Sequence, residues 1–183
     1  MSTIRTFSDY TINLERPKQE TIELYDIAHA LSHIVRFNGH APYPYTVAHH
    51  SIIMSYCIEP NYALLALLHD AAEAYLGDVT KPLKQIIGPA YPRLEKKWEK
   101  AIYKKYNVKI TDLALNILKA ADMEMLRKEQ LMLFKDEYSE RDLSSYFPQV
   151  PFEVRRKLEK YDLHFTTVAF LERFTELQRT ASI

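Results

Sequence analysis

The sequence predicts an all-α protein, a single-domain helical bundle with a short N-terminal hairpin or arm. Three observations predict it. Glycine occurs only three times in 183 residues, at Gly39, Gly77 and Gly88, whereas a sheet-rich domain needs more of it for its turns. Leu, Ala, Glu, Lys and Met, all strong helix formers, are common. Apolar residues recur at helical spacing along most of the chain, and no long strand pattern competes with them.

The elements follow in order. Thr3 to Leu14 alternates weakly, as a hairpin or extended arm would, and Pro17 ends it. A first helix is expected from Leu24 to Phe37, with Ile27, Leu31, Ile34 and Val35 as its apolar stripe and Asn38-Gly39 as its stop. Pro42 and Pro44 make a rigid turn, and Thr46 caps a second helix, Val47 to Ile58. Pro60-Asn61 breaks it. A third helix is expected from Tyr62 to Leu76; its run Ala63 to Leu68 is apolar on all sides and so central, and Gly77 ends it. Pro82 and Pro89 frame a stretch with one short helix. A Lys-rich amphipathic helix spans Pro92 to Tyr106, and a long helix opens at Thr111 or Asp112 and reaches Phe134. Tyr146-Phe147-Pro148 reads as a loop, followed by helices near Phe152–Tyr161 and Leu163–Gln178. With no repeat or linker-like shift, residues 1–183 are expected to form one domain: an arm over 1–20, a core over about 24–134 and C-terminal helices over 150–180.

Charge and cysteine content narrow the function. Lys plus Arg and Asp plus Glu both number 24, so no long-range field favours a nucleic-acid polymer, and the Lys-rich face at Lys96, Lys97, Lys100, Lys104 and Lys105 reads as a solvated surface. A neutral surface also offers little protection against self-association, so a homo-oligomer is compatible with it. Cys57 is the one cysteine, expected to be a buried small hydrophobe; an internal disulfide is excluded, and a single cysteine argues against a cysteine-based zinc site. Met1 to Glu15 lacks a basic-then-apolar signal pattern, and no apolar run approaches the ~18 residues of a membrane span. The expectation is a cytoplasmic protein without membrane contact.

The chemistry is concentrated in His69-Asp70-Ala71-Ala72-Glu73. Ionisable groups directly after the apolar run Leu64–Leu68 are costly to bury unless something pairs with them. Neighbouring helical residues point about 100° apart, so His69 and Asp70 can straddle one small ion, with Glu73 on the same side. Further ligands must come from other helices: His50, in Val47-Ala48-His49-His50-Ser51, and Asp122, beside Ala120 and Ala121. Imidazole with carboxylate suits one divalent ion such as Zn, Mn, Co, Ni, Fe or Mg and does not choose among them. The blander alternatives stay open. His69, Asp70 and Asp122 could belong to a hydrogen-bonded buried network, Glu73 could be a solvated helix residue, Asp78 a turn or cap, and Arg36 the partner of a neighbouring acid. His29 and His33 are four apart, a spacing that binds metal but more often only packs. His33 and His40 could add a second site. His49 reads as exposed or as lying behind a ligand.

The ordered set His50, His69-Asp70, Asp122 resembles the signature of the HD superfamily of metal-dependent phosphohydrolases. Within it the likeness is to small bacterial 5′-deoxynucleotidases and to phage enzymes that strip triphosphate from dATP. The segments that carry it are Asp26-Ile27-Ala28-His29-Ala30-Leu31, Arg36-Phe37-Asn38-Gly39-His40, Val47-Ala48-His49-His50-Ser51, Leu67-Leu68-His69-Asp70-Ala71-Ala72-Glu73 and Gly77-Asp78-Val79-Thr80-Lys81-Pro82-Leu83-Lys84, together roughly residues 20–130. His49 departs from it, standing where many relatives carry Glu or Gln. The resemblance implies an HD-type bundle with His50, His69, Asp70 and Asp122 as metal ligands, and with Glu73 and Asp78 acting on water or the leaving group. Arg36, Lys81 and Lys84 are candidates for binding phosphate. It implies a nucleotide substrate, with hydrolysis of 5′-deoxynucleoside monophosphates ahead of release of triphosphate from a dNTP. A catalytically silent nucleotide-binding module is a further alternative.

Overall fold

The computed structural model describes residues 2–134 and 143–181 and is predominantly α-helical. At the N-terminus β1 (Thr3–Arg5) pairs antiparallel with β2 (Thr11–Asn13), Ile4 opposite Ile12, so the weak alternation there is a hairpin. Ile12 is buried, and Trp98 donates its indole N–H to the Leu14 carbonyl, which ties the arm to the helices. The helices are α1 (Leu24–His33), α2 (Val47–Cys57), α3 (Ala63–Leu68), α4 (Glu73–Leu76), α5 (Lys81–Ile87), α6 (Ala90–Lys105), α7 (Asp112–Phe134), α8 (Leu143–Tyr146), α9 (Phe152–Leu158) and α10 (Leu163–Ala181). Among the described residues no helix is long and apolar enough to cross a membrane.

The core is built from helix faces. Ile27 and Leu31 of α1, Ile52 and Ile53 of α2, Leu67 and Leu68 of α3, Trp98 of α6 and Phe170 of α10 are all buried in one cluster. Helix α2 is buried from Val47 through Ser55, because α1, α3, α7 and α10 all pack against it. His50 is therefore held on a helix that is packed on several sides.

The structure corrects four expectations. Helix α1 stops at His33, not Phe37: Ile34 to Arg36 leave the helix and pair with the segment before α2. Val35 bridges Thr46, the Arg36 N–H donates to the Tyr45 carbonyl (2.8 Å), and the Val47 N–H donates to the Ile34 carbonyl (2.9 Å). The third helix is split, with a tight turn over residues 69–72 between α3 and α4, where the Ala71 and Glu73 N–H groups donate three residues back. Tyr146 ends a short helix instead of opening a loop. Cys57 is exposed, because it is the last residue of α2, where burial ends.

His49 is a structural cap. It is buried, and its Nδ1 accepts from the Thr46 N–H (3.2 Å) and hydroxyl (2.7 Å), while its Nε2–H donates to the Leu158 carbonyl (3.2 Å). The ring works only when neutral, and burial lowers its pKa from 6.5 to about 4, against the pull of the Leu158 carbonyl and Glu129. The unfolded chain therefore takes up a proton that the folded one refuses as pH falls from 6.5 toward 4, and stability is lost across that window. Replacing His49 by Gln is expected to flatten this slope by about one proton, on the order of 1.4 kcal/mol per pH unit. Urea unfolding of both proteins at pH 6.5 and 4.5 measures it; parallel slopes would remove His49 from the account.

Candidate metal centre

Three elements bring the sequence-predicted ligands together. His50 comes from α2, His69 and Asp70 from the turn after α3, and Asp122 from the middle of α7. One ligand atom each from His50, His69 and Asp122 lies within 4.8 Å of the others. The two Nε2 atoms are 3.3 Å apart, and Asp122 Oδ1 is 3.3 Å from that of His50 and 3.9 Å from that of His69. Asp70 Oδ2 joins the group at 3.1 Å from His69 Nε2 and 3.7 Å from His50 Nε2. His50, His69 and Asp122 therefore form one group able to hold an ion, and Asp70 approaches it from the side of the two histidine nitrogens. The side chains are 0% (His50), 8% (His69), 21% (Asp70) and 45% (Asp122) exposed, so the cluster opens toward solvent on its Asp122 side.

Hydrogen bonds decide what the cluster can hold. His50 Nδ1–H donates to Glu129 Oε1 (2.7 Å), and His69 Nδ1–H donates to the Ala66 carbonyl (2.7 Å). With each Nδ1 so committed, both Nε2 lone pairs face the same point. Two lone pairs at 3.3 Å cannot bond to each other; they need a cation between them. A tetrahedral ion with nitrogen bonds of about 2.0–2.1 Å sets its ligand atoms about 3.3–3.4 Å apart. The donor set and its spacing thus fit a divalent ion. A proton can take the same place. Burial and the Arg36 guanidinium push the His50 pKa down, yet Glu129 and Asp122 outweigh them and carry it up to about 9. Burial raises Asp70, but His69, His50 and Arg36 hold it well below the ordinary carboxylate range.

Glu129 is the functional residue that the sequence reading missed. It is wholly buried and accepts from His50, from the Tyr45 hydroxyl (2.8 Å) and from Arg36 Nη2 (2.9 Å). In sequence it sits in Arg127-Lys128-Glu129-Gln130, a charged stretch that reads as solvated. The usable signal was its spacing, seven residues or two helical turns beyond Asp122, which puts both carboxylates on one face of α7.

The other predicted residues border the cluster. Arg36 realises the acid-pairing alternative: besides Glu129 it faces Asp70, with Nη1 at 3.8 Å from Oδ2. Phe37 and Asn38, directly after it, both have positive φ, at 56° and 51°. Glu73 is 5% exposed, and its Oε2 is buried without a hydrogen-bond partner. Burial, with repulsion from Asp70 and Asp78, pushes its pKa up to about 10. Asp78 is half-buried, and burial raises its pKa too. Lys84 is tied to Glu95 (2.7 Å) and lies over the Tyr91 ring, whereas Lys81 is exposed. The His29 ring packs against Phe7 and against His33, and both His33 and His40 are exposed. Neither His33 nor His40 joins a group of three or more metal-capable side chains among the described residues.

Fold and site together define a predominantly helical protein with a candidate metal centre of His50, His69 and Asp122, flanked by Asp70. The chain is 37% identical over 139 residues to the uncharacterized protein YfdR of Escherichia coli K12, an alignment covering 76% of each. It is also 33% identical over 150 residues to an uncharacterized protein of Rhodobacter capsulatus, covering 75% of this chain and 76% of that one. The chain belongs to the family of these two proteins. No model of a known protein family matches it.

Proposed function

We propose that this protein is a metal-dependent phosphohydrolase of the HD type acting on nucleotides, with 5′-deoxynucleoside monophosphates as its substrates. The observation that carries the reading is the pair of imidazole lone pairs at 3.3 Å, flanked by Asp70 and Asp122 and open on one side. His50, His69, Asp70 and Asp122 would hold the ion. When bound, a divalent ion supplies a Lewis acid for a phosphoryl oxygen and makes nearby water more acidic.

The chain's own groups do the rest. Asp122, the most exposed ligand, marks the side from which substrate enters. Glu73 stays protonated at neutral pH because of its burial and its acidic neighbours, so it is suited to give a proton to the leaving oxygen. Asp78, half-buried beside it, accepts a proton from water. Arg36 Nη1 and Lys81 offer positive charge to the phosphate, with Lys84 weakened for that role by Glu95. The same reading places the protein in the cytoplasm, where its substrates are.

The test is a screen of dNMPs and dNTPs against Mn²⁺, Co²⁺ and Zn²⁺, with chromatography of the phosphorus product. Inorganic phosphate released from a monophosphate is the expected result. Triphosphate released from a dNTP would move the substrate class, and no turnover with any pairing would overturn the reading.

A further inference from the structure

We infer that Glu129 is the positioning residue of this centre, holding His50 in the one tautomer and orientation that can ligate an ion. The inference rests on the metal centre proposed above and goes beyond its four ligands.

The geometry is an interlock. Asp122 and Glu129 are two turns apart on α7, about 10 Å along its axis. The His50 ring from α2 lies between them, with Nε2 at 3.3 Å from Asp122 Oδ1 and Nδ1 at 2.7 Å from Glu129 Oε1. One imidazole thus spans two carboxylates of a single helix. A carboxylate accepts and never donates, so Glu129 obliges Nδ1 to carry the proton and leaves the Nε2 lone pair facing the cluster. Among the described residues the partner of His50 Nδ1 is this carboxylate, whereas His69 Nδ1 uses the Ala66 carbonyl. Glu129 is itself fixed at three points, by His50, by the Tyr45 hydroxyl and by Arg36. It is too deep to meet substrate, being 0% exposed. Its effect on the reaction must therefore pass through His50 and Arg36.

The isosteric change Glu129→Gln separates this role from simple packing. A carboxamide can turn its NH₂ toward Nδ1, which lets the ring carry its proton on Nε2 and lose the inward lone pair. The full chain, stripped with a chelator, would be titrated calorimetrically with Zn²⁺ and without nucleotide. Glu129→Gln should weaken Zn²⁺ binding by roughly 10–100-fold. Tyr45→Phe removes a different hydrogen bond to the same carboxylate but leaves that carboxylate to accept from Nδ1, so it should weaken Zn²⁺ binding by less than Glu129→Gln does. Nitrogen-15 spectra of His50 give an independent readout: Nδ1 should carry the proton in the zinc-loaded wild type, a result that needs no variant to fold. Unchanged affinity in Glu129→Gln, an equal loss in Tyr45→Phe, or a zinc-loaded His50 without a proton on Nδ1 would each overturn the inference. If Zn²⁺ binding shows the expected pattern while no nucleotide is hydrolysed, the proposed activity fails and the role of Glu129 stands.

Discussion

Replacing His69 by alanine is expected to remove both the metal and the activity while leaving the fold in place. The reason lies in what His69 touches. Its Nδ1–H meets the Ala66 carbonyl one turn back, and its Nε2 faces His50, Asp70 and Asp122. Those contacts serve the cluster and not the core, whose cluster of buried apolar side chains includes the adjacent Leu67 and Leu68. Loss of one imidazole leaves His50 as the only nitrogen donor beside two carboxylates, a set that suits a softer divalent ion poorly. An ion's stabilisation of a phosphoryl transition state is worth several kcal/mol, which corresponds to a fall in turnover of roughly 10³-fold or more. Asp70→Ala should do the same for a second reason: it also frees one side of Arg36. Metal analysis by atomic emission and a phosphate-release assay on both variants check this. Turnover retained in both would refute the phosphohydrolase, because no centre would remain to support it.

The parts of the fold that rest on local chemistry were legible in the sequence. Thr111 accepts from the Ala114 N–H at the start of α7, Thr46 caps α2, and the alternation near Ile4 and Ile12 is a hairpin. Each depends on residues close in sequence, so propensity and capping rules reach it. The failures lie where distant segments decide. Ile34 and Val35 fit the apolar stripe of α1, but their backbone groups pair with Thr46 and Val47 instead. The turn at residues 69–72 interrupts an unbroken helical pattern, because the tighter hydrogen bonding there is invisible to periodicity. The four candidate ligands were legible because charges beside apolar runs are conspicuous. Glu129 was not, because among Arg127, Lys128 and Gln130 a carboxylate looks ordinary. Only the approach of His50, Tyr45 and Arg36 from elsewhere in the chain makes it a hub.

Glu73→Gln is the second change expected to have a large effect, and its signature differs from that of His69→Ala. Turnover should fall by about 10²–10⁴-fold, the usual contribution of a positioned acid or base, while Zn²⁺ affinity stays near the wild-type value. Glu73 is not among the atoms gathered around His50, His69 and Asp122, so the ligand set survives its loss. Its carboxyl is buried, pushed up to about 10, and one oxygen lacks a protein partner. A neutral amide copies the shape and charge of that protonated acid but cannot transfer its proton. Stability supplies the control. In chelator-stripped wild type the folded protein keeps a proton that the unfolded chain releases above 4.5, so stability is present below that pH and is lost as pH rises toward 10. The Gln variant lacks this titration and should be the more stable protein at pH 8, although it is the less active one. A variant that gains stability, keeps its metal and loses turnover has lost a proton donor. One that also loses Zn²⁺ would make Glu73 a ligand, and one that retains full turnover would leave proton transfer to Asp78.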